Sequence, residues 1–163
     1  MKMDELKQEI KRCRECGLHF SAKNAVPGEG PYDANIMLVG QNPGAREDES
    51  GRPFVGASGK YLNTVLMKNS LNRKKIFITS IVKHKTPKNR KPTSQEVGAC
   101  LPYLIKQIEG IKPGEIVLMG KISQKTPKKK GIRYVETFHP AAAMRFPKMR
   151  RIFEEDMKQV ERQ

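Results

Sequence analysis

The segment 40–56 carries residue types that can bind a ligand and act on it. Asn42 and Glu47 can each hold a water molecule for hydrolysis, and Phe54 can stack on a flat ring. The segment follows an apolar run at 36–39 and precedes a helical pattern, and open α/β sheets place ligand sites in such strand-to-helix loops. We therefore expect a ligand pocket here. The alternative is a structural turn in which Phe54 only anchors the core.

A second candidate is His139, which follows the last predicted strand and is held by Pro140. A histidine at a strand end can donate a hydrogen bond to an anion that develops during a reaction. Met144 and Arg145 lie just beyond it in the sequence and can wedge into a nucleic acid duplex. The alternative is an ordinary capping histidine beside a core methionine.

The 163 residues carry a net charge of +15, with 32 Lys and Arg against 17 Asp and Glu. Such an excess predicts a polyanionic partner, nucleic acid first and an anionic membrane surface second. A highly charged surface of the thermophile type explains the number of charges but not their sign. No run approaches the roughly 20 apolar residues of a membrane span, and the first residues lack a signal-peptide core. We expect a cytoplasmic protein.

The chain has three cysteines, Cys13, Cys16 and Cys100. The first two stand in a Cys-x-x-Cys arrangement at the end of a predicted helix. In a reducing compartment, these thiols argue against a disulfide framework and favour a metal or redox role.

Hydrophobic periodicity and capping signals predict helices and strands in alternation along most of the chain. The helices are expected at 4–14, 58–68, 93–109 and 148–162, the strands at 36–39, 75–82, 115–120 and 133–138, and loops at 41–56 and 139–147. This order predicts a three-layer α/β/α domain over residues 1–163, built on a mostly parallel four-stranded sheet. The loops after the first, second and fourth strands should then converge at one edge of the sheet.

These segments together resemble the uracil-DNA glycosylase superfamily, and in particular its family-four enzymes, which are thermostable and contain an iron–sulfur cluster. The resemblance covers nearly the whole chain in the family's order. The matching motifs are Cys13-x-x-Cys16-x-Leu18, Val26-Pro27-Gly28-Glu29-Gly30-Pro31, Ile36-Met37-Leu38-Val39-Gly40, Pro43-Gly44, Glu47-Asp48, Gly51-Arg52-Pro53-Phe54-Val55-Gly56, Gly59, Ile81-Val82-Lys83, Pro87, Asn89-Arg90-x-Pro92, Cys100 and His139-Pro140.

The resemblance implies a monofunctional DNA glycosylase of base excision repair. Such an enzyme flips uracil, or a related deaminated base, out of DNA, hydrolyses its N-glycosidic bond and leaves an abasic site. It would act as a monomer on DNA that contains a deaminated base, without a membrane partner.

The resemblance also implies roles for individual residues. Catalysis falls to Asn42, Glu47 and His139, with His139 stabilising negative charge on the departing base. Base binding falls to Gly40, Gln41, Phe54 and Ser80. Contacts to DNA fall to Asn89, Arg90, Met144, Arg145, Lys128 and Lys129.

Two places in the expected pocket depart from the family pattern. The family has Gly-Glu-x-Pro-Gly where segment 40–44 reads Gly-Gln-Asn-Pro-Gly, so the water is activated by either Asn42 or Glu47. The family has an asparagine that reads the uracil edge where this chain has Ser80. A serine cannot make the bidentate amide contact that separates uracil from cytosine. Either another residue reads the base, or the preferred substrate is hypoxanthine, xanthine or a mismatched uracil.

A metal site made by Cys13, Cys16, His84 and Cys100 is also implied, with His84 where the family has its third cysteine. Three cysteines and a histidine can hold a 4Fe-4S cluster, and they are also a common closed zinc site. The expected role is structural, because the site would pin the N-terminal helix and the loop after the second strand against the core. The alternative is that His84 is a bystander and the thiols are merely buried.

Two other functions stay open at this point. A non-catalytic protein on the same scaffold would retain uracil-containing or abasic DNA without turnover. A hydrolase of free nucleotides would fit the fold, but its activity would depend weakly on salt, whereas binding to a phosphate backbone is strongly salt-sensitive.

Overall fold

The computed structural model of the protein describes residues 2–161, in which helices alternate with parallel strands. The helices are α1 (Met3–Lys11), α2 (Ala45–Ser50), α3 (Ala57–Lys68), α4 (Ser94–Ile111), α5 (Pro140–Arg145) and α6 (Pro147–Met157). The strands are β1 (Ile36–Gly40), β2 (Phe77–Ser80), β3 (Glu115–Met119) and β4 (Arg133–Thr137).

The strands form one parallel four-stranded sheet in the order β2-β1-β3-β4, which confirms the predicted sheet. Leu38 of β1 lies opposite Ile78 of β2 on one side and opposite Val117 of β3 on the other. Because all strands run in the same direction, their carboxyl ends meet at one edge. The chain winds outwards from β1 in both directions, so the loop after β1 opens at the crevice where sheets of this type bind ligands.

Helices cover both faces of the sheet, which is why the strands are continuous apolar runs in the sequence. Ile36 and Leu38 point to one face and pack in a core with residues of α3, α5 and α6. Met37 and Val39 point to the other face and pack with residues of α4, against which α1 lies. The predicted three-layer α/β/α arrangement is confirmed.

The two segments predicted as loops each contain a short helix. Helix α2 lies within 41–56 and α5 within 139–147, and each is six residues long, too short for a periodic apolar pattern to be visible. Gly51, at a φ of 73°, ends α2, and Pro140 begins α5 at the position that suits proline.

The helix ends differ slightly from the prediction. Helix α1 ends at Lys11, which leaves Cys13 and Cys16 in the following loop. Helix α6 ends at Met157, and its predicted end at 162 lies outside the described residues. None of the helices within residues 2–161 is long and apolar enough to cross a membrane.

Candidate active site

A cavity of about 500 Å³ opens at the carboxyl edge of the sheet. Its walls come from the segments that follow β1, β2 and β4, which confirms their predicted convergence. We call it the strand-end cavity. The predicted site residues that line it are Gln41, Asn42, Glu47, Phe54, Ser80, Asn89, His139 and Arg145.

Phe54 forms one wall of the strand-end cavity and is held in a strained conformation. Its backbone φ is 47°, in the left-handed region that non-glycine residues rarely adopt. The guanidinium of Arg73 donates to the carbonyl oxygens of Pro53 (2.7 Å) and Phe54 (2.8 Å), which fixes this turn. A Cβ atom at Gly40 would lie 2.6 Å from the aromatic ring, so only glycine allows the ring so close to β1. Phe54 is thus a core residue that also borders the cavity.

His139 is the N-cap residue of α5, and its surroundings make it a neutral hydrogen-bond donor. Its Nδ1 accepts from the backbone N–H of Ala141 (3.0 Å), which assigns the ring proton to Nε2. Burial lowers the pKa of the imidazole to about 4, although the charge of Glu47 opposes this shift. The ring stacks against Phe54 with 5.6 Å between the ring centres. The cavity is therefore bordered by an uncharged imidazole that carries its proton on Nε2.

The carboxylate of Glu47 ties the two ends of the segment 40–56 together. Its Oε1 accepts from the backbone N–H of Gly44 (2.9 Å). Its Oε2 accepts from the backbone N–H groups of Val55 (2.9 Å) and Gly56 (2.7 Å). Because both oxygens are already engaged by backbone amides, Glu47 acts on this segment as a clamp.

The side chains of Gln41 and Asn42 form a pair at the floor of the strand-end cavity. The Nε2 of Gln41 donates to Oδ1 of Asn42 (3.0 Å), and Nδ2 of Asn42 donates to the carbonyl oxygen of Pro43 (3.0 Å). These two bonds fix the orientation of the Asn42 carboxamide. An amide oxygen accepts two hydrogen bonds, so Oδ1 of Asn42 can accept one more.

Ser80 ends β2 at the wall of the cavity, and a buried lysine holds its backbone. The ammonium of Lys83 is fully buried and donates to the carbonyl oxygen of Ser80 (2.6 Å). Burial lowers the pKa of Lys83 to about 7. Within residues 2–161 the hydroxyl of Ser80 makes no hydrogen bond, although the residue is only 7% exposed. This hydroxyl is therefore available to a ligand.

Half of the residues predicted to contact DNA lie at the strand-end cavity or beside it. Asn89 and Arg145 line the cavity, and Met144, which is 38% exposed, neighbours Arg145. The guanidinium of Arg145 lies 5.5 Å from the centre of the Phe146 ring. The cavity rim is thus basic and partly aromatic.

The other three predicted DNA contacts, Arg90, Lys128 and Lys129, do not line the cavity. The guanidinium of Arg90 makes a bidentate pair with Glu96 at 2.8 Å, and the ammonium of Lys128 pairs with Glu136 at 2.6 Å. The exposed pair of Lys128 is weak and does not prevent a contact with a phosphate, whereas the bidentate pair of Arg90 with the largely buried Glu96 is stronger and competes with such a contact. The role of these three residues stays a prediction.

Sequence reasoning did not single out Arg73 or Phe146 as residues of this site. Arg73 lies in a run of basic residues at 73–75, and nothing in that run distinguishes it. Phe146 lines the cavity, and the only signal for it is that it directly follows Arg145, a residue predicted to contact DNA. Lys91, which also lines the cavity, lies in the basic stretch 83–91 that is expected to hold phosphates.

The cysteine group, Cys13, Cys16 and Cys100, gathers thiols that disfavour one another's ionisation. Burial raises the pKa of Cys100 to about 11, a shift that Lys83 opposes and to which the charges of Cys13 and Cys16 contribute. Burial also raises the pKa of Cys16, and Cys13 adds to this shift. Within residues 2–161, no three side chains of His, Cys, Asp or Glu are placed closely enough to hold a metal ion.

His84, the fourth predicted metal ligand, lines a cavity of about 520 Å³ together with Cys13 and His19. Burial lowers the pKa of His84 and the neighbouring His19 adds to this shift, while Asp48 opposes it. Histidine ligates metals as the neutral imidazole, the form that this environment favours. The four predicted donors therefore fit a metal in chemical type, but they are not drawn together around one centre.

Comparisons with known proteins agree with this geometry. A family model described as the uracil DNA glycosylase superfamily matches residues 27–161. The type-4 uracil-DNA glycosylase of Pyrobaculum aerophilum is 43% identical over 96% of this chain and 92% of its own length. Those of Thermotoga maritima and Archaeoglobus fulgidus are 36% and 35% identical, each over 97% of this chain and over 92% and 91% of their own lengths.

A solved structure, the wild-type UNG from Nitratifractor salsuginis, aligns with a TM-score of 0.44 and 15% identity over 81% of this chain and 76% of that chain. This structural similarity is too weak to add to the assignment. The sequence matches are sufficient on their own, since they span nearly the whole chain at high identity. The chain belongs to the uracil-DNA glycosylase superfamily, together with the type-4 enzymes.

Proposed function

We propose that the protein is a monofunctional DNA glycosylase of base excision repair that removes uracil, or a related deaminated base, from DNA. The observation that supports this most is the stacking of a neutral imidazole, His139, on the aromatic wall Phe54 at one cavity. The relatives that match nearly the whole chain are named uracil-DNA glycosylases. The net charge of +15 suits a DNA substrate.

The strand-end cavity would receive the base after it is turned out of the duplex. Flipping is needed because the N-glycosidic bond cannot be reached while the base is stacked. The flipped base would stack on Phe54, whose backbone turn is held by Arg73. Gln41 and the backbone of Gly40 would lie beside the base. Because glycine has no side chain, the backbone of Gly40 can approach the Phe54 ring closely.

His139 would stabilise the departing base. Negative charge develops on the carbonyl oxygen of the base as the glycosidic bond breaks, and Nε2–H of His139 is the donor for it. The low pKa of His139 keeps the imidazole neutral near pH 7, so it donates a hydrogen bond without needing to carry charge. A donor of this kind, aimed at developing charge, contributes about 10²–10³ in rate.

Asn42, rather than Glu47, would position the attacking water. Oε2 of Glu47 already accepts two backbone hydrogen bonds, and Oε1 is held by the N–H of Gly44 in the clamp of the segment 40–56. Asn42 has a fixed carboxamide whose oxygen can accept one further bond. The carboxylate of Glu47 would still help to balance positive charge on the sugar, since it is close enough to influence the pKa of His139.

The basic rim of the cavity would hold the DNA backbone. Asn89, Lys91 and Arg145 line the rim and would contact the phosphates on either side of the flipped nucleotide, with Met144 filling the gap in the stack. Binding should therefore weaken steeply with salt.

The chemistry of the donors also supports a metal site held by Cys13, Cys16, His84 and Cys100, for which we propose a 4Fe-4S cluster, with zinc as the alternative. When bound, the group would cross-link the segments that carry these residues. Burial raises the pKa values of Cys16 and Cys100 and so disfavours their thiolates. A bound cation would favour the thiolates and offset this effect. Visible absorption and iron content of protein purified without oxygen would distinguish the cluster from zinc.

The excision profile tests the proposed function. Duplexes with a single uracil, hypoxanthine or xanthine are incubated with the protein, and alkali then cleaves any abasic site. Product from the uracil duplex is expected. A preference for hypoxanthine would redefine the substrate, and retention of uracil-containing DNA without product from any base would leave only a binding protein. The monomeric state and the cytoplasmic location stay predictions.

A further inference from the structure

The side chains of Gln41 and Asn42 have only one consistent arrangement of donors and acceptors. The Asn42 carboxamide faces the carbonyl oxygen of Pro43 at 3.0 Å. A carbonyl oxygen only accepts hydrogen bonds, so Asn42 must present Nδ2 to it and turn Oδ1 toward Gln41. Oδ1 also only accepts, so Gln41 must present Nε2 to it, at 3.0 Å. The carbonyl of Pro43 thereby sets the direction of both hydrogen bonds.

The Gln41 side chain is engaged with Asn42 alone. Its backbone is held separately, because the carbonyl oxygen of Gln41 accepts from the N–H of Val82 at 3.0 Å. Among the described residues, Asn42 is the one hydrogen-bond partner of the Gln41 carboxamide. A change of the Gln41 side chain therefore alters the support of Asn42 and leaves the anchoring of the strand end in place.

The family pattern has a glutamate where this chain has Gln41, and the difference matters for Asn42. An ionised carboxylate has the shape of the glutamine amide but only accepts hydrogen bonds. It would face Oδ1 of Asn42 with a second acceptor. Asn42 could relieve this only by turning its amide over, which would set Oδ1 against the carbonyl of Pro43. The glutamine at position 41 is thus matched to the asparagine that follows it.

The orientation of the Asn42 amide decides what an attacking water meets. In hydrolysis, the water oxygen bonds to C1′ of the sugar while the C1′–N bond breaks and its electron pair leaves with the base. The proton that the water loses reaches the base through solvent. The acceptor Oδ1 would take one proton of the water and leave a lone pair for C1′, whereas the donor Nδ2 would occupy that lone pair.

We infer that Gln41 is a positioning residue for the hydrolytic step, whose amide donor keeps the Asn42 oxygen directed at the attacking water. This inference rests on the proposed function and on Asn42 as the residue that holds the water. It gives Gln41 a part in the attack on the sugar, in addition to its predicted place beside the base.

Single-turnover excision of uracil, with the enzyme in saturating excess, tests this inference because its rate reports the bound complex. Gln41→Glu keeps the shape and loses the donor when ionised, and Gln41→Met loses the donor without adding charge. The control is Gln8→Glu, which adds the same charge on the exposed side of α1. Thermal unfolding establishes that each variant is folded, and if one Gln41 variant does not fold, the other decides.

At pH 8 both Gln41 variants should excise uracil about tenfold more slowly than the unchanged protein, the worth of one hydrogen bond. Gln8→Glu should not differ from the unchanged protein. As the pH falls toward 5, Gln41→Glu should recover relative to the unchanged protein, because a protonated carboxyl group donates again. The relative rate of Gln41→Met should stay constant. The other charged or titratable groups that line the cavity are common to all variants and cancel in this ratio: Glu47, Lys91, His139 and Arg145.

The same substitution in an Asn42→Ala background separates positioning from other roles. If Gln41 acts through Asn42, Gln41→Glu should have no further effect there. A further tenfold loss in that background overturns the inference, as does a Gln41→Glu rate at pH 8 equal to that of the unchanged protein, or a relative rate that does not change with pH. Absence of excision by the unchanged protein would instead overturn the proposed function.

Discussion

The strand-end cavity and the cysteine group satisfy their polar atoms in opposite ways. In the cavity, Glu47 and Asn42 are fixed by hydrogen bonds to the backbone or to neighbouring side chains. His139 is neutral, and its ring is held by the hydrogen bond that it accepts from the backbone N–H of Ala141. In the cysteine group, Cys16 and Cys100 have raised pKa values because they are buried and lie near other thiols. Glu47, Asn42 and His139 are thus held by partners within the chain, whereas the surroundings of Cys16 and Cys100 disfavour their ionised forms.

This contrast indicates that the chain itself preorganises the cavity, whereas the proposed metal would hold the cysteine group together. A preorganised site keeps its geometry when distant parts of the molecule change. Lys83 is nevertheless a link between the two regions, since its backbone N–H donates to Sγ of Cys100 (3.2 Å) and its Nζ holds Ser80. The following predictions test how independent the two regions are.

The largest effect is expected for His139→Asn. Asparagine is a good N-cap residue, so it keeps the bond to the Ala141 N–H, but it cannot reach the position of Nε2. We expect kcat for uracil excision to fall by about 10²–10³ with little change in the unfolding temperature. A large fall in the unfolding temperature, or a kcat within a few-fold of that of the unchanged protein, would contradict the role of His139 as donor.

The next effect separates Asn42 from Glu47. Asn42→Ala should lower kcat and leave stability nearly unchanged, because it removes only the proposed water contact and local bonds. Glu47→Gln should lower the free energy of unfolding in urea by about 2–4 kcal/mol, since charge-assisted bonds to backbone amides are lost. Asn69→Ala, which removes an amide outside the cavity, is the matched control. If Glu47→Gln lowers kcat while stability is retained, Glu47 and not Asn42 acts on the water.

A smaller effect is expected in the cysteine group. Cys16→Ser in protein purified without oxygen should remove the visible absorption and lower the unfolding temperature by about 4–8 °C. Uracil excision well below the unfolding transition should change little, because the cavity does not need the bound group. Loss of excision at low temperature in a folded Cys16→Ser variant would show that the two regions are not independent.

The smallest effect is the pH dependence of His139. Its folded pKa is about 4, below the ordinary value of 6.5, so the unfolded chain binds more protons between these values. Its contribution to stability is therefore complete above about pH 6.5 and declines as the pH falls toward 4. Excision should also fall near pH 4, since protonation of Nδ1 breaks the bond to Ala141. An acid limb centred near 6.5 would contradict the buried neutral imidazole.

Residue patterns predicted most of the fold and the polar and aromatic side chains that face one another across the cavity. The strands and long helices follow from apolar runs and capping signals, and the sheet order brings Phe54, Ser80 and His139 to one edge. The short helices α2 and α5 were not predicted, because six residues are too few to show the apolar period of a helix. The contacts by which Glu47 and Arg73 hold the segment 40–56 were not predicted either, for a different reason. They depend on contacts with residues 8–20 positions away, and a local pattern does not encode these.

The central claim is that the strand-end cavity hydrolyses one N-glycosidic bond and nothing else. The direct measurement is to incubate the protein with a duplex that contains one uracil and to count three products: free uracil, alkali-labile sites, and strands broken before alkali. We predict that free uracil and alkali-labile sites appear in equal amounts, with the strand intact until alkali is added. Strand breaks without alkali, or no free uracil under conditions in which the protein binds the duplex, would contradict the account.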